Sequence, residues 1–275
     1  MRLAAVKRRL QMKTMIDVQK SLTKHDIAIN RVGVSKIKYP IFVTDRQNNK
    51  QQTVAEFNMS VDLSKNSKGT HMSRFVEILK NYHNNISHRR IIEMTKEIQT
   101  KLESANAYLK ADFPFFVDRK APVSSANALL DYHCFFDCAV KGENINLWLG
   151  VSVPVTSLCP CSKTISEYGA HNQRGVITID VELSNIENDN LQLVYFEELF
   201  AVAEESASSQ LYPILKRPDE KYVTEFAYDN PVFVEDMVRN VANQLRKDPR
   251  IKSYKINCEN FESIHNHSAF AEIIS

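Results

Sequence analysis

The chain has 275 residues, 43% of them hydrophobic, enough to bury a substantial core in one large domain or two smaller halves. Its formal charge of +2 gives no argument for nucleic acid or a membrane surface as partner, and no apolar run approaches transmembrane length. Any anion site must therefore be local. The opening MRLAAVKRRLQMKT is basic but lacks the apolar stretch and cleavage site of a secretory signal, so the protein reads as cytoplasmic and residues 1–30 as a basic N-terminal extension beginning in a frayed tail.

In chain order, VGVSKIKYPIFVTD and QQTVAEFNMSVDL read as two strands joined by the polar turn RQNNK, with Phe57, Met59, Val61 and Leu63 alternating in the second. A helix from about Ser73 puts Phe75, Ile78, Leu79 and Tyr82 on one face, and a second gathers Ile91, Ile92, Thr95, Ile98 and Leu102. FPFFVDR and LLDYHCFFDCAVKG return to strand character. NLWLGVSVPVTSL and GVITIDVELS follow as strands, with Ile177, Ile179, Val181 and Leu183 alternating. A helix is expected from about Tyr195 to Leu211, interrupted by Pro213 and Pro218. Another is marked by Val234, Met237, Val238, Val241, Ala242 and Leu245. The tail SYKINCENFESIHNHSAFAEI closes with strand-like segments. The order strand, strand, helix, helix, strand, strand thus occurs twice, which predicts an α+β fold with helices on one face of an antiparallel sheet. No glycine-rich phosphate loop of the usual kinds is present.

The five cysteines are an odd number without a repeating framework, so free thiols are expected. Cys134 and Cys138 lie in an apolar run and read as buried small hydrophobes. Cys159 and Cys161 belong to TSLCPCSKTISEYGAHNQRG, a polar loop between two strands that also holds His171 and Arg174. A thiolate and an imidazole suit zinc or a similar divalent ion. A structural zinc site would need a second ligand pair, so an open three-ligand catalytic site fits better. Chance cysteines beside a solvated histidine, or redox chemistry, are the alternatives.

Three other clusters carry possible chemistry. KRPDEKYVTE places Lys216, Arg217 and Lys221 around Asp219 and Glu220, on a loop expected after Pro218 ends the helix, where cations suit a triphosphate and a carboxylate suits a metal. A solvated mixed-charge loop is its bland reading. Glu235 and Asp236 stand at a helix start, which the macrodipole alone would favour. ENFESIHNHSA carries Glu262, His265 and His267; in an extended strand the two histidines share a face and suit proton transfer or metal ligation. His71 and Arg74, in KGTHMSRF, stand at the start of the first helix, where they contact an anion or simply cap the helix.

Taken together, VPVTSLCPCSKTISEYGAHNQRG, KGTHMSRF, LKRPDEKYVTE, NPVFVED and NFESIHNHSA closely resemble the type IB GTP cyclohydrolase I family, with the match running from about Val32 to the C-terminus. The resemblance implies a bimodular tunnelling fold, with modules 31–144 and 145–275, assembled as a homotetramer with active sites at subunit interfaces. It implies metal-dependent hydrolysis of GTP to 7,8-dihydroneopterin triphosphate and formate, the first step of tetrahydrofolate biosynthesis. By that resemblance Cys159, His171 and Glu220 hold a divalent ion (zinc, manganese or iron) and Cys161 stands beside the reacting purine. Glu235 grips the guanine edge, while Glu262, His265 and His267 move protons. Glu204 and Glu205, on the preceding helix, are the alternatives to Glu220. Arg174, Lys216, Arg217, His71 and Arg74 are triphosphate candidates on charge grounds. The segment IENDNLQ lies outside the matching motifs. Rival readings are the related nitrile reductase, whose E-S-K-S-type motif is absent here, an inactive purine-binding module, and a redox thiol protein.

Overall fold

Alternation of inward apolar with outward, mostly polar residues gives the sheet two unlike faces. The computed structural model describes residues 19, 21, 23, 25–47, 49–184, 186 and 193–275; the basic tail and, apart from Ile186, the segment IENDNLQ lie outside them. The first half runs β1 (Ile29–Thr44), β2 (Lys50–Leu63), α1 (Met72–Tyr82), α2 (His88–Lys101), β3 (Asn106–Lys120) and β4 (Asn127–Lys141). The second half runs β5 (Asn144–Leu158), α3 (Pro160–Ile165), β6 (Asn172–Leu183), α4 (Phe196–Glu205), β7 (Ser209–Gln210), α5 (Arg217–Asp229), α6 (Val234–Leu245), β8 (Ile251–Asn260) and β9 (Ala269–Ile274).

The strands form one sheet in the order β1-β2-β3-β4-β5-β6-β8-β9, with β7 paired to β5. All pairings between these strands are antiparallel. The sheet is continuous across the middle of the chain, where β4 and β5 pair from His133↔Ser152 to Lys141↔Asn144. Phe57, Leu109, Phe136, Leu149 and Ile179 line its covered face, and Phe75, Ile78, Ile91, Phe200 and Met237 pack on them from the helices in one core. The opposite face carries Lys110, Asp112, His133, Asp137, Asp180 and Lys255, and burial pushes the Asp137 and Asp180 carboxyls above the ordinary carboxylate value. The cysteines are free; Cys134 and Cys138 are buried, and burial raises the Cys138 thiol to about 12.

Two expectations are corrected. The helix expected to run to Leu211 stops at Glu205 because serines divert the backbone. Ser206 Oγ bonds back to Val202 O at 2.7 Å, and Ser208 N and Oγ bond to Thr156 O and Leu158 N at 3.1 and 2.9 Å. Such side chains offer the chain an alternative to helix. Pro218 does not end a helix and leave a loop; it stands in the first turn of α5, where its missing N–H costs nothing. That turn is anchored by Asp219, which is fully buried and accepts from Val123 N and Ser124 N, both at 2.8 Å, Ser124 Oγ at 2.6 Å and Lys216 N at 2.9 Å. Burial alone would raise its pKa, but these donors outweigh that and hold the carboxyl well below the ordinary range. The β3–β4 turn of the first half is thereby tied to a helix of the second.

His88, at the first position of α2, is buried between the rings of Phe136 and Tyr195 and donates through Nε2 to Val194 O at 2.8 Å. Burial lowers its pKa from 6.5 to about 4. The unfolded chain therefore binds a proton that the native state refuses, and stability is lost as pH falls from 6.5 towards 4, by roughly 3 kcal/mol at 1.36 kcal/mol per unit. His88→Gln is expected to remove this part of the acid limb. Thermal midpoints measured across that range check it, and equal slopes in both proteins would contradict it.

Candidate active site

The site grows from the ends of β5 and β6, which pair as far as Leu158↔Asn172. Beyond that pair the chain leaves as the loop 159–171, and the hydrogen bond from Cys159 N to His171 O at 3.1 Å closes its neck. Cys159 caps α3, its sulfur accepting from Ser162 N at 3.4 Å, and Pro160 opens that helix. Ser162 Oγ in turn accepts from His171 N at 3.2 Å. The loop's thiol and imidazole are thus held side by side by backbone geometry.

Both line a cavity of about 330 Å³ whose other walls include Glu235, Glu262, His265 and His267. Glu235 is set by the α5–α6 turn, which Val232 N ties to Leu158 O at 3.2 Å; it occupies the first turn of α6 with Asp236. Phe261 N donates to Arg174 O at 2.9 Å, and Glu262 Oε2 lies 3.9 Å from His171 Nδ1. The expected strand through His265 and His267 is corrected. Pairing of β8 with β9 begins at Asn260↔Ala269, so residues 261–268 must reverse the chain. Their rings nevertheless share a side, stacked at 5.0 Å and 12°.

Under the cavity lies a polar layer that the sequence reading missed. Ser157, Gln173 and Asn260 are buried at inward-facing ends of β5, β6 and β8. The available signal was a polar residue at an inward position in three separate apolar alternations. Gly175 makes the layer possible, because a Cβ there would stand 2.3 Å from Asn260 Oδ1.

Other candidates fall outside the cavity lining. Cys161 is exposed on α3, while Arg174, Lys216, Arg217 and Glu220 are exposed on β6 and at the start of α5. His71 and Arg74 line a separate cavity of about 480 Å³ at the start of α1, where Arg74 Nη1 donates to Lys101 O at 2.7 Å. Glu204 is held in a largely buried bond network with Arg119 and Tyr132. Among the described residues no three His, Cys, Asp or Glu side chains are grouped so as to hold a metal ion.

The family model for type I GTP cyclohydrolase folE2 matches residues 15–271. GTP cyclohydrolase FolE2 of Nitrosococcus oceani is 49% identical over 257 residues, covering 94% of each chain; that of Nitrosomonas eutropha is 50% identical over 258 residues, also covering 94% of each. A solved uricase from Arthrobacter globiformis superposes with a TM-score of 0.52 at 10% identity, covering 92% of this chain and 95% of its own, a likeness of fold alone.

The close fit around Gly175 has a measurable consequence. Gly175→Ala must displace the Asn260 amide, and the overpacking is expected to cost roughly 1–3 kcal/mol. A denaturant midpoint unchanged from that of the parent protein would show that the layer tolerates a methyl group.

Proposed function

The chain belongs to the type I GTP cyclohydrolase FolE2 family, and from that premise we propose that the cavity beside Cys159 and His171 is where it opens the imidazole ring of GTP. The chain is a GTP cyclohydrolase I of type IB on an α+β tunnelling fold. It hydrolyses GTP to 7,8-dihydroneopterin triphosphate and formate. The observation that supports the placement is the convergence of one thiol, three imidazoles and two carboxylates on a single cavity, since ring hydrolysis and rearrangement need several positioned acids and bases.

In this reading Glu235 receives the guanine edge, its carboxylate accepting from the ring N–H and the 2-amino group. Glu262, His265 and His267 move the protons required as water adds at C8, the ring C–N bonds break and the ribose rearranges. Cys161, two residues beyond Cys159 on α3, stands beside the purine. Cys159 and His171 would hold a divalent ion of borderline softness, with Glu220, from the start of α5 outside the cavity, as the third ligand; zinc, manganese and iron all suit such a mixed set. A bound ion of this kind lowers the pKa of water and polarises the carbon under attack. Glu220 stands outside the cavity lining, so it is the ligand on which the metal assignment is most exposed to test.

The cationic candidates for the triphosphate, Arg174, Lys216, Arg217, His71 and Arg74, are divided between the two halves of the chain. We propose that they meet the substrate in a homotetramer, where one protomer's α1 start faces its partner's cavity. Folate biosynthesis in the cytoplasm is the proposed setting. Among the described residues no helix is long and apolar enough to cross a membrane.

Glu235→Gln is expected to weaken binding of a non-hydrolysable GTP analogue by about 1–3 kcal/mol, because the amide presents a donor where guanine also donates. Calorimetric affinities equal to those of the parent protein would remove Glu235 from the guanine site. The two neighbouring thiols should separate. Cys159→Ala and Glu220→Gln are each expected to lower metal content and activity together. Cys161→Ala is expected to keep its metal while formate release falls by roughly two or more powers of ten. Elemental analysis beside a formate assay decides it; full metal occupancy in Glu220→Gln would strike that residue from the ligand set.

A further inference from the structure

We propose that Gln173 fixes the tautomer of His171, keeping the proton on Nδ1 so that Nε2 carries the lone pair, and that Ser157 and Asn260 hold Gln173 in the orientation that does this. Ser157 and Gln173 are paired across β5 and β6, and Asn260 pairs with Gly175 on the next strand, so the three side chains adjoin on one buried face. Ser157 has a single hydroxyl proton. It goes to Val232 O at 3.4 Å, a carbonyl that can only accept. As the amides are placed, the Ser157 oxygen accepts from Asn260 Nδ2 at 3.0 Å and Gln173 Nε2 at 3.3 Å.

That assignment leaves Gln173 Oε1 facing His171 Nδ1 at 2.9 Å. An amide oxygen only accepts, so Nδ1 carries the ring proton. Glu262 Oε2 lies 3.9 Å from the same nitrogen, and a carboxylate oxygen accepts as well. A neutral imidazole with Nδ1–H has its lone pair on Nε2, the nitrogen that can ligate a metal or take a proton. Partners of this kind, set behind a ligand, typically change metal affinity by 10- to 100-fold. Asn260 completes the chain of support, its amide lying against Gly175 with Cys258 Sγ 3.9 Å from its Oδ1. Gln173 is thus a positioning residue, acting through His171. The tautomer is a property of the protein alone; its bearing on metal rests on the reading of His171 as a ligand.

Metal-free protein labelled with nitrogen-15 in histidine tests this by nuclear magnetic resonance at about pH 8, where an ordinary imidazole is neutral; loss of one signal set in His171→Gln assigns the ring. The parent protein is expected to show His171 with Nδ1–H, Gln173→Leu to move it towards Nε2–H, and Gln173→Glu, which restores an acceptor, to return it to Nδ1–H. Should Gln173→Leu fail to fold, Ser157→Ala frees the amide to rotate and is expected to give a mixture of the two forms. An Nε2–H ring in the parent protein, or an unchanged tautomer in folded Gln173→Leu, would overturn the proposal. Zinc competition with a chelator is the second readout, with a loss of roughly 10- to 100-fold expected in Gln173→Leu and recovery in Gln173→Glu. A shifted tautomer with unchanged zinc affinity would overturn the positioning role. Unchanged zinc affinity in His171→Ala would instead defeat the ligand reading and leave the tautomer result standing.

Discussion

The antiparallel pairing that ends β5 and β6 at Leu158 and Asn172, extended by the bond from Cys159 N to His171 O, is the constraint on which the site depends. It brings residues twelve positions apart into adjacency and turns the intervening segment into a closed loop with α3 on it. The same strand ends supply Ser157 and Gln173 beneath the cavity. Leu158 O receives Val232 N, which places the start of α6 and therefore Glu235. Loops held by a rigid sheet can carry reactive groups because the sheet meets the entropic cost of ordering them.

A sheet covered on one face makes this arrangement stable. Its helix-covered face is largely apolar along each strand, and Ser157, Gln173 and Asn260 replace hydrophobic residues where β5, β6 and β8 reach the cavity. Buried polar groups are tolerable when every member finds a partner, and Ser157, with two donors arriving and one proton given, meets that condition. Asp219 meets it in another way, gathering four donors while fixing the turn that precedes the exposed Glu220. Both sites gain order from satisfied hydrogen bonds rather than from area buried.

Much of the fold was legible in the residues. The alternation through Phe57–Leu63 and Ile177–Leu183 identified strands, and the spacing of Phe75, Ile78, Leu79 and Tyr82 identified a helix face. What failed depended on competition between local signals. Ser206 and Ser208 read as helix because propensity is summed over a window, while their hydroxyls bond to the backbone of α4 and β5. Pro218 was read as a terminator although the same residue opens helices. Of the site, Cys159, His171, Glu235, Glu262, His265 and His267 were singled out by type and spacing, and they share one cavity. Gln173, Ser157 and Asn260 escaped notice because each is one unremarkable amide or hydroxyl until the register places the three together. His71 and Arg74 line a different cavity of the chain, a separation that sequence order cannot reveal.

The central claim is that this cavity opens the guanine imidazole ring at C8. GTP enriched with carbon-13 at C8, followed by carbon resonance during incubation with the metal-loaded protein, tests it most directly. The label is expected to leave the purine and appear as formate in one-to-one proportion to the pterin formed, and this transfer should be lost in Glu262→Gln, whose amide cannot exchange the proton. Label that stays in the purine ring while GTP is consumed, or formate formed equally fast by that variant, would contradict the account.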